Sequence, residues 1–366
     1  MRIALVSQRF LPYTGGVELH VAALARELAL AGDDPLVLTA EKQPDASAFD
    51  IGVDAVRILS VQSWLEYARI LAAYDPDVVH AHGARSPFTA IAALIANARR
   101  RPIVFTPHCF YPKWGLGSWV KKTAFDNILG KPLLRRATFT ICLTQQDRAD
   151  AMALGAPADR LRIVPAPSAM PVPPSGTADP AWRERHRLDR FLLFVGRLAP
   201  AKRVDFLIRG MRELQDLGIQ LVLIGPDDGI RDELEKLASD LGVSSIIHFL
   251  GRLPRDELEA AYANCELFVL PSAFEGQPVV LLEAMAHGRT VLASDAGGNK
   301  QIVHHGQNGF LFPVTDLVRF CGLVRECLSR DLSDVQANAR QTVLSHYAWP
   351  VVIPQIRAIY ASAIRS

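Results

Sequence analysis

The stretch Leu267-Phe-Val-Leu270-Pro271-Ser272-Ala-Phe-Glu275-Gly-Gln-Pro278-Val279-Val-Leu-Leu-Glu283-Ala-Met-Ala286-His-Gly288 decides the fold. Its first four residues are apolar and are closed by Pro271-Ser272, which reads as a short buried strand. The loop Ala273 to Gln277 follows, and Pro278 suits the first position of a helix. That helix carries Val279, Val280, Leu281, Leu282, Ala284, Met285 and Ala286 and stops at Gly288. A helix apolar on every side is buried, so Glu283 is a carboxylate in an apolar place. A buried carboxylate is costly unless something donates hydrogen bonds to it. A ligand rich in hydroxyl groups is the simplest donor.

The same strand, loop and helix alternation runs outward in both directions. Ile3-Val6, Leu36-Thr39, Val78-His80, Ile103-Thr106, Phe139-Leu143 and Arg162-Val164 form one set of apolar runs. Phe191-Val195, Leu221-Ile224, Ile246-Leu250, Leu267-Leu270, Thr290-Ala293 and Gly309-Phe312 form a second. Helical stripes such as Val17, Val21, Leu24, Ala25 and Leu28 lie between them. This is the pattern of α/β domains with parallel sheets covered on both faces. Pro165, Pro167, Pro171, Pro173, Pro174 and Pro180, with Ser175 and Gly176, separate the sets as a linker. The expected division is residues 1–170 and 171–349, with a C-terminal helix, 350–366, returning to the first domain. At 366 residues, two domains are the default. Ligands bind such sheets at the carboxyl ends of their strands.

Charge and composition narrow the function. A formal net charge of +2 gives no strong attraction to nucleic acid. Cys109, Cys142, Cys265, Cys321 and Cys327 are odd in number and lack metal-ligand spacing. Reduced cysteines of a cytoplasmic protein are expected. The apolar run at the N-terminus is too short for a signal peptide, and no stretch reaches transmembrane length. Residues 97–136 hold nine cations against the single acid Asp126, interleaved with Phe110, Tyr111, Trp114, Trp119 and Phe125. Aromatics among cations suit an anionic membrane interface or a lipid-linked acceptor, and they also occur on ordinary surface helices.

Four further places can hold chemistry. Arg197 and Lys202 follow strand Phe191-Val195 at the start of a helix near Val204-Ile208, as a diphosphate clamp or as a solvated surface pair. Gly15-Gly16 stand between strand Ile3-Val6 and a helix, where backbone amides can approach a phosphate or sugar; a plain tight turn explains them equally well. His108 follows strand Ile103-Phe105. His80 and His82 point to one side of their strand, but no third ligand stands at a fitting interval. They read as structural or as supports behind a site's contact residues, and no metal is expected. A glycosidase pair of Glu275 and Glu283 needs carboxyl groups flanking one bond, which one loop residue and one helix residue on the same segment do not favour.

Together these segments resemble the retaining GT-B glycosyltransferases of family 4, over nearly the whole chain and in the family's order. The matching segments are Pro12 to Glu18, Asp77-Val-Val-His80-Ala-His82-Gly83, Val195 to Lys202, Phe249-Leu-Gly251 to Leu258, Pro271 to Gly288, Gly297-Gly298 and Gly306 to Leu311. The block Pro271 to Gly288 is the specific one. The resemblance implies the GT-B fold, two Rossmann-like parallel-sheet domains facing a central cleft. It implies transfer of a hexose from a UDP- or GDP-sugar, without a tightly bound cofactor or metal, to a saccharide or lipid-linked acceptor. Arg197 and Lys202 would hold the diphosphate. Glu283 would take the ribose hydroxyls, and Glu275 the sugar's hydroxyls. Amides from Gln277 to Val280, including Val279, would help bind sugar or phosphate. His108 would lie beside the reacting sugar, Gly16 beside the diphosphate and acceptor, and Leu253 with Arg252 near the base. Apart from the resemblance, the reduced cysteines point to the cytoplasm, and the basic, aromatic segment 97–136 to a peripheral place on the inner face of the plasma membrane. Gln277-Pro278, Gln301, Cys109 and Ala166-Pro167 depart from the family pattern and bear on donor orientation. An epimerase or phosphorylase of the same architecture, or a non-catalytic sugar-nucleotide-binding relative, are the rival classes.

Overall fold

The computed structural model describes residues 1–11, 15–41, 56–110, 116–168, 173 and 179–366. Pro12 to Thr14 of the glycine loop lie outside the described residues, as do Tyr111, Lys113 and Trp114 of the basic segment and Pro171, Pro174, Ser175 and Gly176 of the linker. The same holds for the side chain of Trp119. The chain divides into two compact units, Met1–Ala169 with Trp349–Ser366, and Met170–Ala348.

The N-terminal unit is built on seven strands: β1 (Arg2–Ser7), β2 (Asp34–Thr39), β3 (Arg57–Ser60), β4 (Val78–His82), β5 (Ile103–Thr106), β6 (Phe139–Cys142) and β7 (Leu161–Ile163). They run in the order β3-β2-β1-β4-β5-β6-β7, every pair parallel. Alternation along β1 shows how the sheet is covered. Ile3 and Leu5 pack with residues of helices Gly16–Leu30 and Trp349–Arg365, while Ala4 and Val6 pack with residues of helices Trp64–Tyr74 and Pro87–Ala98. Both faces are dry, so the strand reads as a continuous apolar run. The last helix is fixed by polar contacts as well as packing. Arg357 donates to Asp33 at 2.8 Å, and the buried Tyr360 hydroxyl lies 2.6 Å from His80 Nδ1.

The C-terminal unit has six strands: β8 (Phe191–Val195), β9 (Gln220–Ile224), β10 (Ile247–Gly251), β11 (Leu267–Leu270), β12 (Thr290–Ser294) and β13 (Phe310–Phe312). Their order is β10-β9-β8-β11-β12-β13, again all parallel. This is the doubly wound Rossmann order, with the direction of winding reversing between β8 and β11. The loops that leave those two strands therefore diverge around a crevice at their carboxyl ends. One apolar core fills this unit.

Three readings of the sequence need adjustment. β3 goes unread, because Arg57-Ile-Leu-Ser60 is a four-residue edge strand with half-exposed side chains, too short to show a period. Pro278 is not inside the helix. It caps Val279–Ala286 with extended backbone, φ −78° and ψ 100°. Lys202 does not open a helix either. It ends the short 3₁₀ turn Pro200–Lys202, and Arg203, left-handed at φ 53°, separates that turn from helix Val204–Glu213. All five cysteines are buried, and none is in a disulfide.

Candidate active site

Backbone contacts join the loops after β8, β11 and β12. The Ala273 amide donates to the Ala201 carbonyl at 2.8 Å, and the Gly298 amide to the Glu275 carbonyl at 2.9 Å. A Cβ on Gly298 would come within 1.5 Å of the Gly276 oxygen, so only glycine fits there. Gly225, at the end of β9, is held in the same way. Its φ is 144°, and a Cβ would lie 2.0 Å from the Gly196 oxygen. These close approaches fix where the side chains of the two central loops can stand.

Lys202 and Glu275 meet there. Lys202 Nζ donates to Glu275 Oε1 at 2.6 Å, with side chains 22 % and 11 % exposed. An ammonium has three donors and a carboxylate two oxygens. The pair therefore keeps two N–H groups and one oxygen for other partners. Arg197 is engaged elsewhere. Its Nη1 donates to Asp228 Oδ2 at 2.6 Å, and both side chains are well exposed. Such an exposed pair is worth at most about 1 kcal/mol and yields easily to a better anion. The structure thus does not bring Arg197 and Lys202 into contact; each cation holds an acid.

Glu283 lies on helix Val279–Ala286, with Leu281, Leu282, Ala284, Met285 and Ala286 all buried around it. It keeps 6 % of its surface. Its compensating donor is part of the protein: the Tyr262 hydroxyl donates to Oε2 at 2.8 Å. This corrects the expectation that a ligand alone would supply it. Burial pushes the Glu283 carboxyl up to about 7, against the opposing pull of the Tyr262 hydrogen bond and of Arg255. Val279 and Val280 are half-buried in the first turn of the helix, and the Pro278 cap supplies no side-chain hydrogen bond. Uncapped first-turn amides suit an anion or a sugar oxygen. Gln277 and Leu253 are half-buried, and Leu253 packs against the core from the turn after β10.

The N-terminal unit has its own polar centre beside β1 and β4, where its strand order also reverses. His108 follows β5 with a left-handed φ of 63°, a strained setting for a non-glycine residue. Its Nε2 shares a hydrogen bond with His82 Nδ1 at 3.1 Å. His20, from helix Gly16–Leu30, sets its ring edge-on to His108 with centroids 4.9 Å apart. The sequence spacing does not show this trio, since its members come from three separate elements. Burial keeps all three imidazoles neutral. It lowers His20 to about 4 and holds His82 and His108 well below the usual range, helped by the neighbouring histidines. One nitrogen from each lies within 4.8 Å of the others, close enough to share an ion. A ligating histidine normally passes its other N–H to an acceptor. His82 Nε2 is buried without a partner, so an ion on His82 Nδ1 would lack that outer support. His80 is tied instead to Tyr360 and Thr106. Gly16 opens its helix, and a Cβ there would meet nothing within 4 Å, so internal packing does not demand the glycine.

Comparison with known proteins agrees with this architecture. The family model described as "Glycosyl transferase 4-like domain" matches residues 15–167, and that described as "Glycosyl transferases group 1" matches residues 179–342. The GDP-mannose-dependent alpha-(1-6)-phosphatidylinositol monomannoside mannosyltransferase of Mycolicibacterium smegmatis is 28 % identical, with 94 % of each chain aligned. The D-inositol 3-phosphate glycosyltransferase of Frankia alni is 29 % identical over 84 % of each. Among solved structures, Anabaena HepE in complex with UDP and glucose superposes with a TM-score of 0.82 at 21 % identity, covering 99 % of this chain and 100 % of that one. Two Rossmann-like parallel sheets, two glycosyltransferase domain models in tandem and relatives aligned from end to end lead to one assignment: this chain is an enzyme of the family 4 GT-B glycosyltransferases.

Proposed function

We propose that the enzyme moves a hexosyl group, with retention of configuration, from a UDP- or GDP-sugar to a saccharide or lipid-linked acceptor. The observation that carries this is the Lys202–Glu275 pair on the loops at the β8/β11 reversal, with Glu283 on the helix that follows. A pair with spare donors and a spare acceptor can bind both ends of a sugar diphosphate. Lys202 and the first-turn amides of Val279 and Val280 take the phosphates, Arg197 releasing Asp228 to join them. Glu275 takes sugar hydroxyls, Glu283 the ribose, and Leu253 with Arg252 flanks the base. Charge growing on the departing diphosphate meets fixed cations and amides, so stabilisation rises toward the transition state. No protein nucleophile is assigned; the acceptor attacks from the leaving-group side.

The phosphatidylinositol mannosyltransferases among its relatives support a lipid-linked or inositol-containing acceptor. The basic segment supports a peripheral, cytoplasmic-face location. On helix Leu116–Phe125 and the π-turn Asp126–Gly130, Val120 and Ile128 are exposed, with Lys121 beside them. Asp126 does not offset that charge at the surface, because it is buried against Arg85 at 2.9 Å. Among the described residues, no helix is long and apolar enough to cross a membrane. The protein is expected to sediment with anionic liposomes at low salt and to release as salt rises or when Lys121 and Lys122 become alanine. Absence of sedimentation at low salt would reject the membrane role.

Incubation of the enzyme with a panel of UDP- and GDP-sugars, with and without candidate acceptors, tests the activity. Consumption that requires acceptor supports transfer; rearrangement or release of the sugar with donor alone would support an epimerase or phosphorylase. Exhaustive chelation is expected to leave transfer within twofold of its starting rate. A more than tenfold loss, restored by Zn²⁺ and abolished in His20→Ala, would place an ion on the histidine trio.

A further inference from the structure

We propose that Tyr262 is a positioning residue for donor binding: its hydroxyl clamps one oxygen of Glu283, so that the other is presented as an ionised acceptor to the vicinal hydroxyls of a nucleotide's ribose. The inference rests on the reading that the C-terminal unit binds a sugar nucleotide, and it adds a group outside the loops and helix assigned to that site. Tyr262 lies on helix Arg255–Asn264 and is fully buried. Its ring is held between Phe268, with centroids 5.8 Å apart, and His287, stacked at 5.3 Å and 28°. His287 Nδ1 in turn donates to the Glu283 carbonyl at 2.8 Å. The phenol is therefore fixed against the same turn of helix that carries the carboxylate.

A carboxylate with so little exposure has two ways to lower its energy without a donor. It can take up a proton, or it can turn toward what solvent remains. One charge-assisted hydrogen bond from a rigid, neutral donor opposes both. Burial and the adjoining Glu283 hold the Tyr262 phenol well above its usual range, so it stays a donor throughout the working pH. The other charged groups that act on the Glu283 carboxyl are Arg255 and Glu259 on the helix of Tyr262, joined to each other at 2.9 Å, while His287, at the C-cap of the Glu283 helix, bonds its backbone carbonyl. Arg255 favours the ionised form and Glu259 opposes it. Burial keeps His287 low. Donor affinity should therefore fall as pH drops through the titration of Glu283, with Tyr262 setting where the fall begins.

The test is Tyr262→Phe, which removes one oxygen and keeps the ring packing. Donor affinity at pH 7 is expected to fall about 5- to 20-fold, with kcat at saturating donor within twofold. The pH at which affinity is half lost should move upward, because Glu283 then protonates more readily. The loss should vanish with a 2′,3′-dideoxyribose form of the donor. A 3-fluorotyrosine placed at position 262, a stronger donor of nearly the same size, should move the midpoint downward, and it keeps the proposal testable should the phenylalanine variant fold poorly. An unshifted pH profile in both variants, or an equal loss with the dideoxy donor, would overturn the proposal. If Glu283→Gln also leaves affinity unchanged, the ribose assignment itself fails; if Glu283→Gln weakens binding and Tyr262→Phe does not, only the role of Tyr262 fails.

Discussion

Replacing Lys202 or Glu275 with alanine is expected to lower hexosyl transfer by about 10²–10³-fold while the protein remains folded, in line with the loss of one preorganised charge-stabilising group. The structure gives both halves of that expectation. The two side chains are 2.6 Å apart and mostly buried, so each holds the other at the crevice. Lys202→Ala removes the cation that meets the departing diphosphate and leaves Glu275 unpaired. Glu275→Ala removes the acceptor for sugar hydroxyls and frees Lys202 to move. Neither residue belongs to the apolar core of its unit, so the melting transition should survive. Because the two act as a unit, the double variant should lose little more than either single one. Transfer by either variant within tenfold of wild type would remove the pair from the reaction.

Glu283→Gln should do two opposite things. It should weaken donor binding about 10- to 100-fold, since a neutral amide replaces a charge-assisted acceptor. It should also stabilise the free protein above neutral pH. The Glu283 carboxyl titrates near 7 in the folded chain, above its ordinary value, because burial disfavours the charge. A group raised in this way contributes stability that is complete below its unfolded value of about 4.5 and is lost as pH rises through about 7. Glutamine is free of that loss. The gain above pH 8 should be about 1–3 kcal/mol, or about 2–10 °C in Tm for a unit of this size. It should shrink toward zero near pH 5. Equal Tm values for the two proteins at pH 8 would show that Glu283 is not a buried charge. A binding residue that destabilises its own fold marks a site kept for function.

Much of this was legible before the structure. Strand Leu267–Leu270 and helix Val279–Ala286 are visible because a short apolar run, a proline-capped loop and a glycine stop point to one local answer. The doubly wound order is another matter, since it depends on which strands pair, and no local period records that. β3 is hidden because an edge strand with half-exposed residues carries no alternation to count. The histidine trio joins positions 20, 82 and 108, and Tyr262 reaches Glu283 across 21 residues. A carboxylate in an apolar run announces that a donor is needed; its identity is a tertiary fact. The glycines show the same division. Gly297-Gly298 is readable as a motif, but its reason is the backbone of Glu275 and Gly276 pressing against it. Gly225 carries no motif, and its necessity appears only when Gly196 is seen beside it.

The most direct test of the central claim is calorimetric titration of UDP- and GDP-sugars into the wild-type chain and into Lys202→Ala. Saturable 1:1 binding of at least one sugar nucleotide to the wild type is expected, weakened at least tenfold in the variant and lost with the unphosphorylated nucleoside. Indistinguishable affinities for wild type and variant, or binding that ignores the diphosphate, would contradict it.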